Sequence, residues 1–155
     1  TGSFTVYAAA GGARRSVTVD MSNTYQAWSR RNLVHNGLED TQRHSFVQAD
    51  VFGFIERMRA ARTRFDLIVL DPPSFSNSKR METTFDVQRD QLQLLRATVD
   101  LLTPGGELLF STNRQGFRLD PGLGELAQIE EISARTIPED FKRHTPHRCW
   151  LMTRD

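Results

Sequence analysis

The sequence predicts an α/β fold: an open, mostly parallel sheet with helices on both faces and an antiparallel last strand. Three observations carry that expectation. Short β-branched runs alternate with longer helical stretches, three successive runs end in an aspartate, and the third of these is followed by two prolines. With 155 residues, 38% apolar and 25% charged, the chain has the size and composition of one folded unit, residues 1–155.

The elements follow in order. "TGSFTVYAAAGGA" supplies a glycine-containing loop and then small residues suited to a helix lying close on a sheet. "SVTVD", Ser16 to Asp20, reads as a strand. "SNTYQAWSRRNLVHNG" is the next helix, with Ser22 as N-cap, Gly37 as terminator, and Tyr25 and Trp28 on its core face. "HSFVQAD" is a strand, "VFGFIERMRAAR" a helix and "FDLIVLD" a buried strand ending at Asp71. "DVQRDQLQLLRATVDLL" is a long amphipathic helix capped by Asp86, with Leu92, Leu95, Val99 and Leu102 at helical spacing. The turn "TPGG" closes it. "ELLFSTN" and "IEEISART" make two more strands, and "HRCWLMT" is a last strand returning to the sheet edge.

Composition removes several classes of function. Twenty basic against nineteen acidic residues give +1, so the chain lacks the balance of a dedicated nucleic-acid binder and any polyanion must meet a local patch. The lone Cys149 excludes an internal disulfide and a Cys-rich metal site, fits a reducing compartment, and reads as a buried small apolar residue. His144 and His147 sit in a Pro-containing stretch without acid or sulfur ligands nearby, so no metal is expected. With no membrane-length apolar run and no signal pattern, the expected location is the cytoplasm, without a membrane partner.

The strand-end acids point to a ligand. In an open parallel sheet the carboxyl ends of the strands share one rim, and ligands bind along it. An aspartate after a strand often only caps a helix or starts a turn. Its recurrence at Asp20, Asp50 and Asp71 favours a shared cleft. Asp20 stands where an acid accepts ribose hydroxyls, and Asp50 where one accepts an adenine amine. The opening segment lacks a full G-x-G-x-x-G and a Walker lysine, so no phosphate cradle is expected. An adenosine-like ligand without phosphates matches S-adenosylmethionine better than NAD or ATP.

"FDLIVLDPPSFSNSKR" carries the chemistry. Pro72 and Pro73 have no N–H, so they end the ladder and stiffen the chain just outside the strand. The Asp71 carboxylate and nearby carbonyls then stand as fixed acceptors beside a methyl donor, able to orient a nucleobase nitrogen. Phe75 is suited to stack on an extruded base, while Asn77, Ser78, Lys79 and Arg80 are placed to hold its edge or its phosphates. Arg114 and Arg118, flanking Gly116 and Phe117, read equally as phosphate contacts or solvated surface.

The segments "DPPSFSNSKRMETTFDVQRD", "TVDMSNTYQAW", "STNRQGFR" and "HRCWLMT" together resemble the RlmK-type methyltransferase half of the bifunctional bacterial 23S ribosomal RNA guanine methyltransferases, over essentially the whole chain. The resemblance implies a Rossmann-like class I methyltransferase fold, S-adenosylmethionine as cofactor, and methylation of a guanine N7 in 23S rRNA. By the same resemblance, Thr1, Gly2 and Ser3 match the cofactor loop, Asp20 with Met21 the ribose site and Asp50 the adenine site. Asp71, Pro72 and Pro73 match the catalytic motif, Asp71 lying against the cofactor as well. In that family a central first strand precedes the cofactor loop, whereas this chain starts inside or just after it. The first strand is therefore expected to be missing, and the chain to be a fragment of a longer protein with further domains. Its expected partner is 23S rRNA or a large-subunit assembly intermediate.

Residue chemistry leaves the acceptor atom open. Methylating N7 displaces no proton, whereas the exocyclic N2 amine must lose one, and a carboxylate with a proline carbonyl can accept its two hydrogens. Asp-Pro-Pro alone thus slightly favours N2, but Ser74, inserted before Phe75, weakens that pattern. Cytosine C5 transfer needs a cysteine nucleophile where Ser111, Thr112 and Asn113 stand, so it fails. The remaining alternative is a non-catalytic Rossmann-like RNA-binding module that keeps the fold but not the cofactor.

Overall fold

Strand and helix alternate as expected along the residues described by the computed structural model, 1–77, 84–141 and 146–155. The chain divides into two units, Thr1–Arg57 and Met58–Asp155.

The first unit contains α1 (Ser3–Ala10), β1 (Ser16–Asp20), α2 (Asn23–His35), β2 (His44–Gln48) and the start of α3 (Val51–Ala60). β1 and β2 pair in parallel, from Ser16 opposite His44 to Asp20 opposite Gln48, so both strands end on the same rim. Parallel neighbours need a crossover, and α2 supplies it. This helix starts where the Ser22 hydroxyl accepts from the Tyr25 N–H, and stops before Gly37 at a φ of 65°. Its buried residues are Gln26, Ser29 and Leu33. Tyr25 and Trp28, expected in the core, are instead 47% and 42% exposed, with ring centroids 5.8 Å apart. The buried stripe runs through positions 26, 29 and 33, and each aromatic lies one residue off it.

Buried Gln26 holds the two strand ends together. Its Nε2 donates to the carbonyls of Thr18, Asp20 and Val47 at 3.3, 3.3 and 2.9 Å. α1 is tied to β1 by a hydroxyl pair, Thr5 to Thr18, at 2.6 Å.

The second unit contains β3 (Phe65–Leu70), β4 (Phe75–Ser76), β5 (Phe85–Asp86), α4 (Val87–Val99), β6 (Leu102–Thr112), β7 (Gln128–Glu131), α5 (Ser133–Thr136) and β8 (Arg148–Thr153). Its four-stranded sheet runs β3-β6-β8-β7. β3 and β6 are parallel, while β8 is antiparallel to both neighbours. The last strand therefore enters between β6 and β7, and the expected return to the sheet edge is corrected: β7 holds that edge.

Three other expectations change here. α4 ends at Val99, and its buried face is Val87, Gln91, Leu94, Leu95, Thr98 and Val99, with Leu92 only half-buried. Leu102 begins β6, so "TPGG" is an irregularity inside that strand rather than a turn before it. The register jumps from Phe65 opposite Leu102 to Leu67 opposite Glu107, and Gly105 takes up the excess at a φ of 72°. "IEEISART" is strand only as far as Glu131; Ser133 then starts a helical turn, its hydroxyl donating back to Glu131 at 2.8 Å.

Two apolar strands keep one edge unpaired among the described residues. β1 pairs only with β2, and β3 only with β6. Val17 on β1 is 39% exposed, and Leu67 and Val69 on β3 are 50% and 36% exposed.

Candidate active site

The first unit presents the residues expected to hold a cofactor. Gly2 caps α1 in the left-handed region at φ 80°, and a Cβ there would lie 2.6 Å from the Ser29 Cβ and 2.7 Å from its Cα. Only glycine fits that backbone and that space. Asn32 Nδ2 donates to the Thr1 carbonyl at 2.8 Å, so Thr1, Gly2 and Ser3 are docked on α2 at two points.

At the end of β1, Asp20 Oδ1 accepts from the Ser22 N–H at 2.7 Å. Past β2, Asp50 Oδ2 accepts from the Gly53 N–H at 2.8 Å and starts α3. Asp20 thus holds a turn just before α2 and Asp50 caps α3, but each spends one carboxylate oxygen on that role. A second acceptor remains on each. Met21 follows Asp20, its carbonyl accepting from Gln48 Nε2 at 3.1 Å.

The second unit carries the Asp-Pro-Pro segment. Asp71, directly after β3, is exposed, and its Oδ1 accepts from the Ser111 hydroxyl at 2.8 Å. The far end of the segment is tied as well, Ser74 Oγ donating to Asn113 Oδ1 at 2.9 Å. Between these ties Pro72 and Pro73 restrict the backbone, so the loop is pinned at both ends to the tip of β6. Phe75 lies in a short antiparallel pairing with Asp86 and is 56% exposed, an aromatic face open to solvent. Asn77 is exposed; Ser78, Lys79 and Arg80 lie outside the described residues.

The segment after β6 is built onto α4. Gln88 brackets Arg118, its Nε2 donating to the Arg118 carbonyl and its Oε1 accepting the Arg118 N–H, both at 2.9 Å. Buried Gln91 donates to the same carbonyl at 3.0 Å and accepts from the Asp120 N–H at 2.9 Å. Beneath them Phe117 packs with Phe110 and Trp150, ring centroids 5.4 to 5.7 Å apart. Arg148 donates to the Phe117 carbonyl at 2.7 Å. The backbone is thus fixed while the Arg118 side chain stays exposed. Arg114 is committed instead: its Nη1 pairs with Asp86 Oδ2 at 2.9 Å. The Arg89 N–H and the Arg114 guanidinium hold the Asp86 carboxyl below the usual aspartate value.

Cys149 is buried opposite Ser111 in the β6–β8 register. Burial first, and then the nearby Asp71 carboxylate, push its thiol up, so it is poorly suited to act as a nucleophile. His147 shares a 2.8 Å hydrogen bond with the Thr136 hydroxyl, and His144 lies outside the described residues. Among the described residues there is no cluster of three or more His, Cys, Asp or Glu suited to a metal, and no helix long and apolar enough to cross a membrane.

Sequence spacing does not reveal several residues that shape this site: Ser29, Asn32, Gln88, Gln91 and the Ser74–Asn113 pair. The available signal was faint. Gln91 is a polar residue on the mostly apolar buried face of α4, and Ser29 is a small one on the buried face of α2, between Gln26 and Leu33.

A family model for S-adenosylmethionine-dependent methyltransferases matches residues 1–142. The ribosomal RNA large subunit methyltransferase K of Neisseria meningitidis serogroup B is 51% identical over 97% of this chain, which spans 42% of that protein. The ribosomal RNA large subunit methyltransferase K/L of Methylococcus capsulatus is 51% identical over 97% of the chain, which spans 20% of it. The chain thus covers less than half the length of these curated relatives. A solved S-adenosylmethionine-dependent methyltransferase from Agrobacterium tumefaciens shares the fold with a TM-score of 0.73 at 22% identity, over 99% of this chain and 53% of that one.

Proposed function

Because the chain belongs to the S-adenosylmethionine-dependent methyltransferase family, we propose that it is the methyltransferase part of an enzyme acting on a guanine of 23S rRNA, at N7. The substrate is suggested by the half-identity with large-subunit rRNA methyltransferases. The observation that carries the reading is Asp71: a carboxylate at a strand end, one oxygen fixed by Ser111 and the other open, with exposed Phe75 four residues on.

The residues fit the cofactor. Gly2, with no room for a Cβ against Ser29, lets residues 1–3 dock closely on α2 as a fixed loop, and the open oxygens of Asp20 and Asp50 suit a ribose diol and an adenine amine. When bound, S-adenosylmethionine supplies a methyl carbon made electrophilic by the sulfonium. Phe75 stacks on the extruded guanine, and Asp71 orients it through the open oxygen. Because N7 offers a lone pair and carries no proton, methylation there would need no general base, and the Asp71 carboxylate would balance the positive charge that develops on the base. Arg118 and, beyond the described residues, Lys79 and Arg80 meet the phosphates. N2 remains the second reading, supported by the carboxylate and proline carbonyl that an amine requires.

The test is mass mapping of 23S rRNA from cells with and without the gene, followed by alkali and aniline treatment. One guanine should lose its methyl group in the deletion strain, and the methylated RNA should cleave there, because N7 methylation labilises the imidazolium ring. Methylated but uncleaved guanine moves the assignment to N2. Unchanged methylation, with no S-adenosylmethionine bound by the full-length protein, leaves the non-catalytic RNA-binding module.

A further inference from the structure

Asp20 and Asp50 are each steadied by a backbone N–H two or three residues ahead, Ser22 and Gly53 respectively. That is the usual local partner of an aspartate at a strand end. At Asp71 the next two residues are Pro72 and Pro73, which have no N–H to give. The donor comes instead from the neighbouring strand: the Ser111 hydroxyl, 2.8 Å from Asp71 Oδ1. Parallel pairing of β3 with β6 sets Leu70 opposite Phe110, so the next residue along each strand brings Asp71 and Ser111 side by side. The two residues after Ser111 are committed elsewhere, Thr112 Oγ1 accepting from the Arg114 N–H at 3.2 Å and Asn113 holding Ser74.

We propose that Ser111 is a positioning residue for methyl transfer, acting through Asp71, whose carboxylate takes this hydroxyl in place of the donor two residues ahead that Pro73 removes. This rests on the reading of Asp71 as the residue that receives the base. By holding Oδ1, Ser111 fixes the carboxylate plane and turns Oδ2 outward as the acceptor. Without it the exposed carboxylate samples several rotamers, and the base loses a fixed reference while the cofactor residues of the first unit are untouched. The loss should therefore fall on kcat rather than on cofactor binding.

The experiment uses the full-length protein, S-adenosylmethionine and unmethylated rRNA. Ser111→Ala should lower kcat about 10- to 100-fold, the scale of one charge-assisted hydrogen bond, with KM for S-adenosylmethionine and the melting temperature near wild type. Ser111→Thr, which keeps the hydroxyl, should recover most of the rate. In an Asp71→Asn background Ser111→Ala should cost much less than in wild type, as expected of residues acting as a unit. Wild-type kcat in Ser111→Ala beside an inactive Asp71→Ala overturns the role of Ser111 while leaving that of Asp71. A folded Ser111→Thr as slow as Ser111→Ala also overturns it, because the hydroxyl would not be the cause. An active Asp71→Ala removes the underlying reading itself.

Discussion

Arg114 Nη1 lies 2.9 Å from Asp86 Oδ2, in an ion pair that joins the tip of β6 to the residue capping α4. Arg118, four residues on, is held by its backbone among the described residues and is exposed. Two arginines of similar standing in the sequence therefore have different duties. Arg118→Ala should weaken rRNA binding uniformly and reduce the slope of log K against log salt by about 1, as expected for the loss of one phosphate contact. Arg114→Ala should leave that slope nearly unchanged and instead lower the melting temperature. Binding titrations at several salt concentrations read both effects, and equal slopes for wild type and Arg118→Ala would remove Arg118 from the RNA surface.

Asp71 and Cys149 are electrostatic neighbours of opposite importance. Asp71→Ala should reduce kcat by at least about 100-fold, the scale of removing one positioned electrostatic group from a reacting centre. Cys149→Ser should keep its activity and lose about 1–2 kcal/mol of stability, because a hydroxyl replaces a buried thiol. A folded but inactive Cys149→Ser protein would revive a covalent mechanism.

What could be read from the sequence was what is local in it. The Ser22 and Asp86 caps, the recurrent strand-end acids and the stiff Asp-Pro-Pro turn each involve groups a few residues apart, so residue type and spacing reveal them. The ties that shape the site join residues far apart: Ser111 to Asp71 across 40 positions, Ser74 to Asn113 across 39, and Gln88 to Arg118 across 30. No periodicity encodes such pairs, because strand register decides them. Helical spacing places Leu102 with the preceding helix for a related reason. A leucine at helical spacing fits a buried strand equally well, and only pairing with β3 distinguishes the two.

Gly2 makes a stringent test of the cofactor loop. Alanine there meets both a left-handed backbone and the Ser29 side chain, so Gly2→Ala should destabilise the loop by at least about 1–2 kcal/mol. Affinity for S-adenosylmethionine should fall at least tenfold. Removing the Ser29 side chain as well should not restore it, since the Ser29 Cα is itself 2.7 Å from the added Cβ. Calorimetric titration of Gly2→Ala and of the Gly2→Ala/Ser29→Gly pair decides this; full affinity in Gly2→Ala would mean that residues 1–3 do not cradle the cofactor.

The unpaired edges of β1 and β3 carry the last prediction. A parallel strand bonded on one side only presents a row of unused N–H and C=O groups, and parallel sheets are ordinarily covered. Here those edges come with exposed Val17, Leu67 and Val69, side chains that suit a buried sheet better than a solvated one. A strand supplied upstream of Thr1 and paired with one such edge would satisfy that edge's backbone groups and cover its apolar side chains. It would also lead directly into Thr1–Ser3, fixing the loop from its N-terminal side as Ser29 and Asn32 fix it from α2. Residues 1–155 alone should therefore bind S-adenosylmethionine at least tenfold more weakly than the protein extended upstream through one strand, although Asp20, Asp50 and Asp71 are present in both. Parallel calorimetric titrations of the two forms make the comparison. Equal affinities would mean that the added strand is no part of the cofactor site, and that Thr1, Gly2 and Ser3 are not its loop.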